Sequence, residues 1–201
     1  MTTAIVSGTG LIVLALGTRT RPVQRIDDLI EEKAGPHRQY LRRAAGAATL
    51  TGEKFVHPVI AAATAATVFL TRADPPANFL LPLASASLGG ITVHHLVKFI
   101  YHRPRPEVAL LRDKTEAAFP SGHTTNATAV VTTSAYILVR SGLVPMPVAV
   151  VCALALCVVT GFSRVALGWH WSTDVLGGWL AGCGIASLCC WMFEVLSVAA
   201  H

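Results

Sequence analysis

Three short polar segments carry the residue types that could do chemistry in an otherwise apolar chain. The most informative reads SRVALGWHWSTDVLGG, residues 163–178, and places Arg164, His170 and Asp174 close together. If the segment around His170 is helical, the four-residue spacing brings the Asp174 carboxylate beside the imidazole. Such a carboxylate fixes the ring tautomer and leaves the other nitrogen as a nucleophile or base. The alternative is a simple ion pair between Arg164 and Asp174, with His170 uninvolved.

The second segment, FPSGH, opens a predicted helix with Ser121, Gly122 and His123. The small residues leave backbone N–H groups accessible at the helix N-terminus, where the helix dipole favours an anion. His123 follows one position later, within reach of a bound group. An ordinary helix start with an interfacial histidine would have the same residues.

The third segment, KFIYHRPRP, supplies Lys98 and Arg105 directly after an apolar stretch. Two cations in this position could bind the oxygens of an anion. Basic residues at the end of a membrane helix also commonly extend to lipid headgroups, so this segment by itself does not distinguish the two roles.

The composition sets these segments in a membrane protein. Of 201 residues, 53% are hydrophobic and 13% are charged, whereas soluble domains carry roughly 25% charged residues. The formal net charge of +5 raises the possibility of nucleic-acid binding, but no basic stripe alternates with aromatic residues. Anionic lipid and phosphate are therefore the expected partners. The five cysteines lack the spacing of a metal finger.

Six stretches without Asp, Glu, Lys or Arg are candidate membrane spans: 1–18, 55–71, 75–97, 117–139, 141–163 and 175–193. A helix needs about 20 predominantly apolar residues to cross a bilayer. The stretches 75–97, 141–163 and 175–193 meet this criterion best, and 117–139 becomes apolar only after Ala127. Within the first of these stretches, residues 4–17 are expected to form a short first span, with a signal peptide as the alternative. The predicted fold is an all-α, polytopic membrane helical bundle with about six transmembrane helices.

Residues 18–54 form the one extended polar segment. Apolar residues recur in it at roughly helical spacing: Ile26, Leu29, Ile30 and Leu41. This pattern predicts an amphipathic helix at the membrane interface, with a solvated connector as the alternative. We assign no chemistry to this segment. The chain is accordingly divided into 1–54, a short span with an interfacial segment, and 55–201, the transmembrane core.

Taken together, the three segments resemble the type 2 phosphatidic acid phosphatase (PAP2) superfamily. They spell K-x6-R-P from Lys98, P-S-G-H from Pro120 and S-R-x5-H-x3-D from Ser163, with no substitution in any motif. The resemblance covers about residues 55–195. The six long apolar stretches favour the membrane lipid phosphatase branch of this superfamily.

The resemblance implies a role for each motif residue. His170 would attack phosphorus to give a phosphohistidine, Asp174 would orient His170, and His123 would protonate the leaving oxygen and later activate water. Phosphate binding would fall to three cations and the start of the PSGH helix: Lys98, Arg105, Arg164, Ser121 and Gly122. No metal or cofactor is implied, because the three cations replace the divalent ions of other phosphatases.

Several neighbouring residues receive no chemical role. We expect His94 and His95 to form structural hydrogen bonds inside the third span. Arg103, in the spacer of the first motif, is expected to meet lipid headgroups. The aromatic residues Tyr101, Trp169 and Trp171 are expected to act as interface anchors.

The expected activity is metal-independent hydrolysis of a lipid phosphate or diphosphate, such as phosphatidylglycerophosphate or undecaprenyl diphosphate. A membrane anion transporter, or an inactive relative that binds lipid phosphate, is the alternative. An anion site needs only the cations, whereas a hydrolase needs both imidazoles. The presence of His123 and His170 together with Asp174 therefore favours the enzyme.

Two arguments conflict over orientation in the membrane. The resemblance implies an active site on the outer face of a bacterial cytoplasmic membrane. The positive-inside rule points the other way, because residues 18–54 carry eight Lys and Arg, whereas the two opposite loops carry only Arg72 and Arg140. The motif cations are needed for chemistry, which weakens the rule here, and we predict an extracytoplasmic site.

Overall fold

The computed structural model of the protein describes residues 1–49, 55–71, 77–110 and 117–199. In chain order the helices are α1 (Thr2–Gly17), α2 (Arg21–Ala34), a 3-10 turn (Gly35–His37), α3 (Arg38–Thr49), α4 (Val56–Thr71), α5 (Ala77–Ile100), α6 (Glu107–Leu110), α7 (Gly122–Arg140), α8 (Met146–Ala166) and α9 (Ser172–Ala199). The described ranges contain no β-strand, and the predicted all-helical fold is confirmed. The proposed 54/55 domain boundary and Arg72 both fall outside the described ranges.

Among the described residues, three helices are long and apolar enough to cross a membrane: α5, α8 and α9. They correspond to the three stretches that best met the length criterion. The bent pair formed by Thr2–Gly17 and Arg21–Leu41 would count as a fourth if it were one span, and α4 is apolar but shorter. The predicted count of six spans is therefore not confirmed.

Helix α7 lies at the centre of the bundle and packs against α4, α5, α8 and α9. It is rich in hydroxyl side chains, and Thr124, Thr125, Thr133 and Ser134 are all buried. Neighbouring helices cover these residues, so α7 does not need the strongly apolar surface of a lipid-facing span. This packing explains why its sequence looked less apolar than those of the other predicted spans.

Two glycines of α9 allow it to approach α7 closely. A Cβ atom on Gly178 would lie 2.7 Å from Thr124 Cβ, and one on Gly182 would lie 2.5 Å from Thr128 Cβ. Small residues four apart commonly form such contacts between membrane helices. The contact brings the starts of α7 and α9 together, and the backbone N–H of Ser121 donates a hydrogen bond of 3.0 Å to the carbonyl of Asp174.

Large apolar side chains cover the outside of the bundle. Leu88, Val151 and Phe162 are each more than 60% exposed. Apolar patches of this extent are rare on soluble monomers and are typical of a surface that contacts lipid. The protein is an integral membrane protein.

The amphipathic helix predicted in residues 18–54 forms as α2 and α3. The stretch Arg21–Leu41 makes an angle of 86° with α1, so it would lie along the membrane surface if α1 crosses the bilayer. Ile26 and Leu29 are more than half exposed, whereas Asp27 is 2% exposed and faces the bundle. The polar side of α2 is thus turned partly towards the protein.

Candidate active site

The turn between α8 and α9 brings the third motif to one end of the bundle. Gly168 adopts a left-handed φ of 70°, a conformation that glycine reaches without steric cost. The backbone N–H of Trp169 then donates to the carbonyl of Arg164 at 3.0 Å, which caps the end of α8. The chain reverses here, and α9 begins at Ser172.

His170 and Asp174 are paired as their spacing predicted, but His170 lies in the turn before α9 and is not helical. Its Nδ1 is 3.5 Å from Oδ2 of Asp174, and the two side chains are 2% and 0% exposed. Oδ2 also accepts a 2.9 Å hydrogen bond from the backbone N–H of Trp171. An acidic residue in the first helical turn that reaches back in this way is one half of a capping box. Asp174 therefore caps the N-terminus of α9 and also contacts the imidazole of His170.

The PSGH motif forms the start of α7. Ser121 is fully buried and precedes the first helical residue, Gly122. The hydroxyl of Thr124 donates a 3.0 Å hydrogen bond to Ser121 Oγ. The backbone N–H groups of the first turn have no partner within the helix itself, and such groups bind anions well.

His94 explains why Gly122 must lack a side chain. A Cβ atom at Gly122 would lie 2.9 Å from Cδ2 of the His94 ring. The Nδ1 atom of His94 is 2.7 Å from the carbonyl oxygen of Gly90, and a carbonyl only accepts, so Nδ1 carries the proton. The structural hydrogen bond expected for His94 is therefore present, and the ring packs against the start of α7.

The cations Lys98 and Arg164 lie in the last turns of α5 and α8, where the helix dipole favours positive charge. Both are buried, at 8% and 2% exposure. The Arg164 guanidinium lies 4.2 Å from the ring centroid of Trp169, so this tryptophan contacts a motif cation. Stacking fixes the plane of the guanidinium and its fork of donors.

His123 is the residue around which the predicted site assembles. Lys98, Arg164 and His170 all lie near enough to act on it electrostatically, as does the buried His57 of α4. These residues belong to α4, α5, α7, α8 and the turn before α9. His57 was not among the residues selected from the sequence, because a single histidine 66 positions before His123 has no motif to mark it.

Arg105 is half-buried. It follows Pro104, which contacts the residue next to His170. The indole N–H of Trp171 donates a 2.9 Å hydrogen bond to the carbonyl of Pro104. This bond fixes the residue before Arg105 beside the third motif. It also makes Trp171 a link between two motifs.

Arg103 does not meet lipid headgroups as expected. It is 9% exposed, and its NH1 donates to Oδ1 of Asp174 at 2.7 Å while its NH2 donates to Oδ2 of Asp27 at 2.7 Å. The ionic contacts keep this arginine inside the protein. Through Arg103, Asp27 links α2, a segment to which no chemistry was assigned, to Asp174.

The assembled site has the parts needed to act on an anionic group. Buried cations and a helix N-terminus can stabilise charge on oxygens far better in a low-dielectric site than in water. A histidine that contacts a carboxylate can serve as a nucleophile, and a second histidine can transfer a proton. A helical membrane bundle with a site of this kind has the features that a membrane phosphatase requires.

Comparison with known proteins identifies the family. The model of the PAP2 superfamily matches residues 77–197, and the chain belongs to that superfamily. It is 32% identical over 178 residues to phosphatidylglycerophosphatase B of Bacillus subtilis strain 168, with 85% of each chain covered. It is also 36% identical over 95 residues, 45% of each chain, to undecaprenyl-diphosphatase BcrC of the same organism.

A solved structure extends the likeness to the whole fold. The crystal structure of a transmembrane PAP2-type phosphatidylglycerolphosphate phosphatase from Bacillus subtilis superposes with a TM-score of 0.85 at 30% identity. The match covers 97% of this chain and 98% of that one. The structural match also includes the N-terminal helices, which lie outside the residues matched by the family model. The protein is thus a PAP2-type membrane lipid phosphatase.

Proposed function

We propose that this protein hydrolyses the terminal phosphate of a membrane lipid phosphate or diphosphate through a phosphohistidine on His170, without a metal ion. The observation that carries the proposal is the contact of His170 Nδ1 with the Asp174 carboxylate at 3.5 Å, in a site that also holds His123 and buried cations. A carboxylate at Nδ1 favours the tautomer in which Nε2 has a lone pair for attack.

In the first step, Nε2 of His170 attacks phosphorus and the bond from phosphorus to the lipid oxygen breaks. His123 donates a proton to that leaving oxygen. The charge that develops on the phosphoryl oxygens is stabilised by the motif cations and the start of α7: Lys98, Arg105, Arg164, Ser121 and Gly122. Hydrolysis of phosphate esters is very slow without a catalyst, so this stabilisation supplies much of the rate enhancement.

In the second step, His123 accepts a proton from water, and the resulting hydroxide attacks the phosphohistidine. The bond from phosphorus to nitrogen breaks, inorganic phosphate leaves, and His170 regains its lone pair. His123 is again protonated and ready for the next cycle. Buried cations at the phosphate position perform the charge stabilisation that divalent ions perform in other phosphatases.

The substrate is a lipid whose phosphate sits at the membrane surface while its tail stays in the bilayer. The two relatives named for phosphatidylglycerophosphate and undecaprenyl diphosphate make these lipids the first candidates. The proposed location of the site is the extracytoplasmic face of a bacterial cytoplasmic membrane.

Phosphate release by the purified protein in excess EDTA tests the activity and its metal independence. We expect turnover of at least one of the two lipids in EDTA, and a comparison of kcat/KM identifies the preferred one. A requirement for added Mg²⁺ would contradict the proposal. Rapid quenching should also trap an acid-labile phosphoenzyme, and its persistence in His170→Ala would rule out His170 as the nucleophile.

A further inference from the structure

Arg103 connects two buried carboxylates on different parts of the chain. Its NH1 donates to Oδ1 of Asp174 at 2.7 Å and to the hydroxyl of Thr173 at 2.6 Å, and its NH2 donates to Oδ2 of Asp27 at 2.7 Å. Asp174 is 0% exposed and Asp27 is 2% exposed. Buried carboxylates are costly unless they are paired and hydrogen-bonded, and Arg103 serves both of them.

Asp27 in turn binds the first residues of α9. Its Oδ1 accepts from the hydroxyl of Ser172 at 2.6 Å and from the backbone N–H of Thr173 at 3.1 Å. Its Oδ2 accepts from the hydroxyl of Thr173 at 2.6 Å. Both oxygens of Asp27 are therefore fixed, and α2 is attached to the helix start that carries Asp174.

These contacts leave Asp174 one orientation. Arg103 holds Oδ1, and the backbone N–H of Trp171 holds Oδ2 at 2.9 Å. The carboxylate cannot turn about its axis without breaking one of these bonds, and Oδ2 is the oxygen that lies 3.5 Å from His170. The Arg103 guanidinium also places a positive charge beside this buried carboxylate, which offsets part of the cost of burying it.

We propose that Arg103 and Asp27 are positioning residues for the phosphatase reaction, acting through Asp174 to orient His170, so that helix α2 belongs to the active site. This inference rests on the proposed function, because it gives Asp174 the task of orienting the nucleophile. Neither residue belongs to the three motifs. Arg103 acts from the spacer of the first motif, and Asp27 acts from the N-terminal segment.

The exposed side of α2 fits this arrangement. Ile26 and Leu29 are 53% and 55% exposed on either side of the buried Asp27. An apolar outer surface and a polar inner contact allow α2 to rest on lipid while its carboxylate reaches the site. The amphipathic character of α2 therefore serves both the contact with the membrane and the proposed positioning of Asp174.

The test compares Arg103→Gln and Asp27→Asn with the matched control Asp28→Asn, which removes an exposed carboxylate from the neighbouring position of α2. We expect Arg103→Gln to lower kcat by about 10- to 100-fold, the size expected for the loss of a hydrogen bond between charged groups. Asp27→Asn should lower kcat by about 10-fold by the same reasoning, and Asp28→Asn should match the unmodified protein. KM should change little, because neither residue is proposed to touch the lipid.

A double-mutant cycle separates positioning from a general structural role. In an Asp174→Asn background, Arg103→Gln should lower kcat by less than about threefold further, because residues that act as a unit are not additive. The same large factor in both backgrounds, or a rise in KM with kcat unchanged, would overturn the inference. Thermal unfolding in detergent shows whether each variant is folded. If Arg103→Gln does not fold, Arg103→Lys replaces it in the test. Lysine keeps the charge but loses the planar fork of donors that reaches both carboxylates.

The same measurements distinguish failure of this inference from failure of the proposed function. If Asp174→Asn retains full kcat, the proposed role of Asp174 is wrong, and the mechanism fails with it. If Asp174→Asn is strongly impaired while Arg103→Gln and Asp27→Asn are not, the mechanism stands and the positioning role is wrong.

Discussion

The Nδ1 atom of His170 lies 3.5 Å from Oδ2 of Asp174, across the boundary between a turn and the first turn of α9. The backbone bond from Trp171 to the same oxygen, at 2.9 Å, ties this contact to the start of the helix. The carboxylate that contacts the imidazole is thus itself held in place by the start of the helix.

Asp174→Asn should therefore abolish most of the activity while the protein remains folded. Asparagine preserves the shape of the side chain but can present an N–H group to His170 and favour the wrong tautomer. The loss in kcat should be on the order of 10⁴-fold, as for a neutralised triad carboxylate. Steady-state kinetics and thermal unfolding of the same preparation check this. A variant with kcat within tenfold of the unmodified enzyme would contradict the orienting role.

Arg164→Lys tests the contribution of the stacked guanidinium. Lysine keeps the positive charge but loses the 4.2 Å contact with Trp169 and the planar fork of donors. We expect kcat/KM to fall by about 10- to 100-fold, the equivalent of one hydrogen bond between charged groups.

Arg140→Lys is the matched control for Arg164→Lys. Arg140 ends α7, and its half-exposed side chain pairs with Glu194, so it lies at the other end of this helix from the PSGH motif. We expect its kcat/KM to stay within about twofold, since exposed ion pairs contribute little. Equal losses in the two variants would mean that kcat/KM responds to general destabilisation and not to phosphate binding.

Gly182→Ala should destabilise the bundle, and Gly184→Ala should not. A Cβ at position 182 would lie 2.5 Å from Thr128 Cβ and 2.8 Å from the carbonyl oxygen of Thr125, whereas a Cβ at position 184 would lie 3.4 Å from Ser7 Cβ. Overpacking of this kind costs about 1–3 kcal/mol. The thermal unfolding midpoint in detergent should fall for Gly182→Ala alone. Equal midpoints would show that α7 and α9 can separate without cost.

The orientation of the protein in the membrane can be measured with two single cysteines. Glu107 begins α6, after α5 has ended, and Pro145 precedes α8. Both residues are exposed, and α7 runs between their two ends of the bundle. In a background without the five native cysteines, a membrane-impermeant maleimide should label position 107 on intact cells and spare position 145. The reverse pattern would place the active site in the cytoplasm, as the distribution of basic residues in residues 18–54 suggests.

The sequence by itself predicted the elements whose character is local. Helices α5, α8 and α9 are predicted by the length of their apolar stretches. A segment in lipid must satisfy its backbone hydrogen bonds internally, so it forms a helix whatever its neighbours are. The residues of the third motif were identifiable for a related reason. Arg164, His170 and Asp174 lie close together in the chain, so their spacing can be recognised directly in the sequence. Their assembly with His123 agrees with that reading, while their chemical roles stay a proposal.

The tertiary structure decided the features that depend on distant partners. Helix α7 reads as a weak span because its threonines are covered by α9 and other helices, and burial by neighbours leaves no periodic apolar signal. Asp27 and Arg103 are 76 residues apart, and each looked like a surface charge in its own segment. An ion pair of this kind is set by how helices pack, since the energy that keeps two charges inside a protein comes from their meeting and not from either sequence alone.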